Sequence, residues 1–192
     1  MKRGITTAAA ALGFAAAGIL AMPASGQMLD QVQDMLNASY NMDAPSLDWQ
    51  QEIITGIAGP LVQIDVYAAG AGSATFYLND GSPWQGDGND FETLFTSTGQ
   101  GWYSIDVSSA NLSFDVGDPF VIGWVGGDDG LWMGGGYIDD GTGPYPGELW
   151  LNSSFYSNGG WDLGFKTYVV PGPGGLALLG LAGLVAPRRR RR

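Results

Sequence analysis

The chain has 192 residues, with 8 Lys and Arg, 19 Asp and Glu, 32 Gly, and neither His nor Cys. All the cations but Lys166 lie at the two ends, so residues 27–170 set one lysine against all 19 acids, about −18 overall. That field repels phosphate and excludes nucleic acid as a partner, while the missing Cys and His remove disulfides, the usual nucleophile–base pairs and most transition-metal sites.

Lys2 and Arg3 precede an apolar and small-residue run over 5–21, and Ala24-Ser25-Gly26 then offers small side chains before Gln27. A positive part, an apolar part and a small-residue site in that order predict a secretory signal peptide over 1–26. Residues 27–48 read as an N-terminal extension. Within it, 29–36 has two readings: a short helix with Leu29, Val32 and Leu36 on one side, or a frayed lead-in. From Trp49 the pattern changes to short runs broken by Gly, Asp, Asn and Pro. Strands are expected over 49–55, 61–68, 73–79, 91–96, 102–107, 120–125, 131–134, 148–152 and 163–169. The period-two pattern sets Leu61, Gln63 and Asp65 against Val62, Ile64 and Val66, and Ala74, Phe76 and Leu78 against Thr75 and Tyr77. One wet and one buried face per strand predict an all-β domain over 49–170, an antiparallel β-sandwich of jelly-roll type.

Three kinds of side chain are candidates for chemistry. Asp80, Asp87, Asn89 and Asp90 crowd one glycine-bearing loop, and Asp128-Asp129-Gly130 and Asp139-Asp140-Gly141 form two smaller groups. Two readings stand for them: ordinary turn residues, or oxygen ligands for Ca²⁺ without the EF-hand spacing. No other cofactor is implied. Among the aromatics, Trp84 in a Pro- and Asp-bearing loop and Tyr145 between Pro144 and Pro146 read as exposed rings able to stack on a sugar. Trp102, Trp124, Trp132 and Trp150 fall on strands and read as core. Finally, none of Glu52, Glu92 and Glu148 is read as sharing a strand face with a second carboxylate, so the glycosidase pair, and enzymatic activity, are not expected.

The C-terminus runs Val170-Pro171-Gly172-Pro173, then an apolar stretch over 176–186, Pro187, and Arg188, Arg189, Arg190, Arg191 and Arg192. Apolar residues followed by cations place the cations on the cytoplasmic side of a membrane. At about 1.5 Å per residue the stretch spans about 17 Å against a hydrocarbon core of about 30 Å, which suits a transient signal better than a lasting span. This order of parts resembles the PEP-CTERM sorting signal of bacterial exosortase substrates over 171–192, with Gly172 where the family usually has an acidic residue. The resemblance implies passage through the secretion machinery and membrane contact through the apolar helix. It further implies cleavage near the Pro motif by an exosortase-type transpeptidase, and delivery to the cell surface or exopolysaccharide matrix. An anchor that is never cut is the other reading. The body is similar to a loose group of secreted bacterial β-sandwich domains found ahead of such tails. The likeness rests on Trp49-Gln50-Gln51, the stretch 59–67, and Asp162, Phe165, Thr167 and Tyr168, and that group has no assigned activity. The expectation is an exported cell-surface or extracellular-matrix structural or interaction protein. The alternative is a calcium-supported carbohydrate-binding module that holds extracellular polysaccharide.

Overall fold

The computed structural model describes residues 26–42, 46–84, 89–128, 130–139, 141–156 and 160–172. The strands are β1 (Met28–Gln33), β2 (Ala38–Asn41), β3 (Asp48–Ile54), β4 (Gly59–Ala68), β5 (Ala71–Asp80), β6 (Phe91–Thr98), β7 (Gly101–Asp106), β8 (Ser113–Phe114), β9 (Pro119–Val125), β10 (Trp132–Tyr137), β11 (Leu149–Leu151), β12 (Ser154–Phe155), β13 (Trp161–Leu163) and β14 (Phe165–Val169). They form two antiparallel sheets. One has the order β12-β11-β3-β9-β5-β6; the other runs β1-β14-β4-β10-β13, with β2 on β10 and with β7 and β8 on β4. Ile53, Phe76, Leu78, Ile122 and Trp124 from the first sheet meet Ile64, Val66, Leu163 and Phe165 from the second in one core. The expected β-sandwich is what the chain forms.

Each expected strand is present, with two informative departures. The last one divides at Gly164. Its N–H donates to the Gly134 carbonyl at 2.8 Å and its carbonyl accepts from Tyr67 N at 3.1 Å. The chain therefore passes from a partnership with β10 to one with β4 across a single glycine. A Cβ there would lie 2.7 Å from Leu36 Cδ2 and 3.1 Å from the Gly134 oxygen, so the crossing needs the bare backbone. The second departure is in β4. Leu61 is buried with Ile64 and Val66 instead of lying on the Gln63 and Asp65 face. The register against β14 slips between Tyr168 and Val169, so one extra β4 residue is accommodated and parity reverses beyond it.

The segment 29–36 is not helical. It supplies β1, which pairs with β14 through Met28↔Val169, Leu29↔Tyr168, Val32↔Lys166 and Gln33↔Phe165. Its apolar spacing of three mimics a helix because the register shifts between Leu29 and Val32, leaving both exposed on one side of a strand. Tertiary contacts outweigh local preference here: Asp30 Oδ1 accepts from Gly56 N at 2.9 Å and Ile57 N at 2.6 Å, and Thr167 Oγ1 accepts from Gln31 N at 3.1 Å. Both β1 and β2 lie within the eight-stranded sheet.

A polar tie crosses the core between the sheets. Gln51 of β3 is fully buried; its Nε2 donates to Asp162 Oδ1 at 2.9 Å and its Oε1 accepts from Leu163 N at 2.9 Å. Asp162 Oδ2 accepts from Tyr145 N at 2.9 Å. Burial pushes the Asp162 carboxyl up to about 7, against the opposing pull of the Gln51 and Tyr145 donors. The Trp-Gln-Gln and Asp-x-x-Phe stretches, far apart in the chain, thus meet at one point.

Among the described residues no helix is long and apolar enough to cross a membrane. Residues 1–25 of the signal segment, Pro173, the apolar stretch 176–186 and Arg188 to Arg192 lie outside the described residues.

Candidate binding face

Alternation on β3 sends Trp49, Gln51 and Ile53 inward and Asp48, Gln50 and Glu52 outward. Register then lays one row of side chains across the outer face of the six-stranded sheet: Phe155, Trp150, Gln50, Gly123, Tyr77 and Glu92, one from each strand. Gly123 makes the row work. The Tyr77 ring lies across it, and a Cβ at that position would come within 2.1 Å of Tyr77 Cζ. The phenol thereby reaches Gln50, accepting from Nε2 at 2.8 Å, and donates to Asp48 Oδ1. Gly123→Ala is expected to displace the ring, break both hydrogen bonds and destabilise the domain by about 2–3 kcal/mol. A urea midpoint within error of the parent would show that the ring finds another seat.

The loop after β5 folds back onto this row. Trp84, at φ +60°, donates its N–H to Gln50 Oε1 at 3.1 Å, and Ser82 hydrogen-bonds the Glu52 carboxyl. This explains why Gln50, Tyr77 and Val121 are buried although they point away from the core. Around them three rings stay accessible: Trp84 (38% exposed), Phe155 (39%) and the half-buried Trp150. The Trp150 indole N–H is buried without a hydrogen-bond partner. Phe155 packs on Trp150 at 5.7 Å between centroids.

Three carboxylates rim the rings. Burial raises Asp48 against its bond from Tyr77, and burial also raises the Tyr77 phenol. Burial raises Glu52, opposed by Ser82 and the Glu148 N–H and reinforced by the nearby Glu148 charge. Asp48 and Glu52 therefore do share a strand face, contrary to the sequence reading. Asp48 lies one residue before the expected strand start, and the actual strand begins with it. Four residues on a strand separate their Cα atoms by about 13 Å, with Gln50 between them.

The other expectations fare differently. Tyr145 is buried at 5%, not exposed. Its hydroxyl accepts from Ile54 N at 3.0 Å and donates to Ile54 O at 3.2 Å, and its ring meets Phe165 edge-on at 4.9 Å. The flanking prolines stiffen a loop that turns the ring inward, and burial pushes the phenol up to about 12. Of the tryptophans read as core, only Trp124 is buried. Trp132 is 38% exposed and Trp102 and Trp150 half-buried, because their strand parity points outward. In the acidic loop, Asp90 Oδ2 accepts from Asp80 N at 2.7 Å, Asp90 N donates to Leu78 O at 3.0 Å, and the Asn89 amide donates to Glu92. These bonds close the turn. Asp87 lies outside the described residues, and among those described no group of three or more acidic side chains is placed to hold a metal ion. Asp128 accepts from Ser73 N at 2.6 Å and Asp139 from Tyr137 Oη at 2.6 Å.

Neither known family models nor curated proteins match this chain.

Proposed function

We propose that this is an exported, surface- or matrix-associated interaction protein that binds extracellular polysaccharide on the outer face of its six-stranded sheet. In this reading residues 1–26 direct export. The PEP-CTERM-like tail (Val170, Pro171, Gly172, Pro173, the apolar helix and the arginines) is processed by an exosortase-type transpeptidase after transient membrane contact. The body is a non-catalytic sandwich with jelly-roll-like winding. One observation supports the binding assignment above the rest: the accessible Trp150 and Phe155 rings follow Gln50 along one outer row, and the loop that bears exposed Trp84 is tied to the same Gln50 through its backbone N–H. The apolar C–H face of a pyranose packs on such rings, and its hydroxyls bond the rim carboxylates.

Affinity electrophoresis in polysaccharide gels tests the assignment. The parent protein is expected to be retarded, and Trp84→Ala and Trp150→Phe to run faster at unchanged thermal midpoints. A parent that migrates freely in every polysaccharide removes the reading. Export has its own test. Mass spectrometry of protein taken from its host surface is expected to show a start near Gln27 and no arginine cluster, and an intact chain confined to the cytosol would refute it.

A further inference from the structure

The opposite outer face, on the eight-stranded sheet, bears a second set of groups. Tyr67 of β4 and Trp102 of β7 are register partners pointing outward, with ring centroids 5.3 Å apart at 72°. Lys166 Nζ stands 4.1 Å over the Trp102 ring. Asp65, the register partner of Lys166, orders the polar side, accepting from Gln63 Nε2 at 2.7 Å and Tyr168 Oη at 2.9 Å. Gln100 Nε2 donates to Tyr67 Oη at 2.7 Å. That bond uses the phenol as an acceptor and leaves the Tyr67 proton and the Gln100 carbonyl oxygen without a partner among the described residues. Both residues line a cleft of about 280 Å³, close to the roughly 300 Å³ at which small-ligand pockets begin.

We infer that this face is a second, independent carbohydrate platform, and that it takes a neutral polysaccharide. A sugar hydroxyl both donates and accepts. Here the Tyr67 O–H donates and the Gln100 carbonyl accepts in the cleft beside the Tyr67 ring, which suits a C–H face, while Trp102, one face covered by Lys166, props Tyr67 from outside the cleft. The ligand is neutral because Asp65 offsets Lys166, the one lysine of residues 27–170, and the excess of acids there repels polyuronates. The same repulsion disfavours a second copy of this chain as the occupant. The two sheets are about 10 Å apart with their platforms facing opposite ways, so one glycan strand does not reach both. A protein with both faces active cross-links polysaccharide. Cross-linking rests on the carbohydrate reading of the first face; binding at the second does not.

The test uses the full-length protein in gels of hydroxyethyl cellulose, galactomannan or xyloglucan, with polygalacturonate as the charged comparison. Trp102→Ala removes the ring that props Tyr67. Tyr67→Phe keeps the fold and removes only the hydroxyl. Each is expected to weaken retardation in a neutral gel about tenfold in dissociation constant, without a change in thermal midpoint for Tyr67→Phe. Trp84→Ala combined with Trp150→Phe is expected to leave this second component intact, and only the parent is expected to raise the viscosity of the polysaccharide solution. Retardation lost with the Trp84 and Trp150 changes but untouched by Trp102→Ala and Tyr67→Phe overturns the second platform and leaves the first. Loss with Tyr67→Phe alone does the reverse. Free migration in all three neutral gels, or retardation by polygalacturonate only, overturns the ligand class.

Discussion

Gln51→Leu is expected to lower folding stability by about 3–5 kcal/mol at pH 7. Leucine fills nearly the same volume, so little of the loss comes from a cavity. It comes from two stranded groups. The Leu163 N–H loses its acceptor and Asp162 Oδ1 loses its donor, both in a site that water does not reach. The carboxylate then keeps only the Tyr145 N–H. The loss also depends on pH, because the Gln51 donor favours the ionised carboxyl. Urea titrations should therefore show a larger deficit at pH 8 than at pH 5. A deficit under about 1 kcal/mol at both would mean that the tie between the sheets contributes nothing net.

The parent protein is expected to be more stable in mild acid than at alkaline pH. Folding raises the Asp162 carboxyl from 3.8 to about 7. Between those values the native state holds the proton more tightly than the unfolded chain. That stabilisation is complete below the lower value and is lost as pH rises through the upper one, up to about 4 kcal/mol for this fully buried group. Asp30, Asp48 and Glu52 are raised by burial too, and so add in the same direction. Repulsion among 19 acids facing one lysine in the body strengthens the trend as they ionise. The urea midpoint should fall from pH 5 to pH 8, and Asp162→Asn should flatten much of that slope. A midpoint that climbs over the same range contradicts the account.

Much of this architecture is legible in the chain, because strands that bury one face must alternate and glycine-rich turns must separate them. The β5 pattern of Ala74, Phe76 and Leu78 against Thr75 and Tyr77 is read correctly from residues alone. What alternation cannot reveal is which outward side chains are later covered. Tyr77 is outward yet buried, because Gly123 gives it a seat and the Trp84 loop closes over it. Parity also fails wherever a register slips, as at Leu61 and in β1, since one extra residue reverses every assignment beyond it. Among the described residues, Trp84 is the predicted aromatic that the fold ties to the candidate face. Its partner Gln50 is plain in the sequence, but nothing local marks a glutamine as the hub of a face. The Gln51–Asp162 contact, spanning two sheets and most of the chain, has no local signature at all.

The way the chain leaves the sandwich has a mechanical consequence. β14 is an interior strand with β1 on one side and β4 on the other, and the ladder is extended past its end by Val170 N to Pro60 O at 2.9 Å. A pull along the backbone from residue 172 would be shared by both rows of hydrogen bonds in shear, rather than peeling them one at a time. A body tethered by that end, with its load taken up on either outer face, resists tension where an edge strand would unzip.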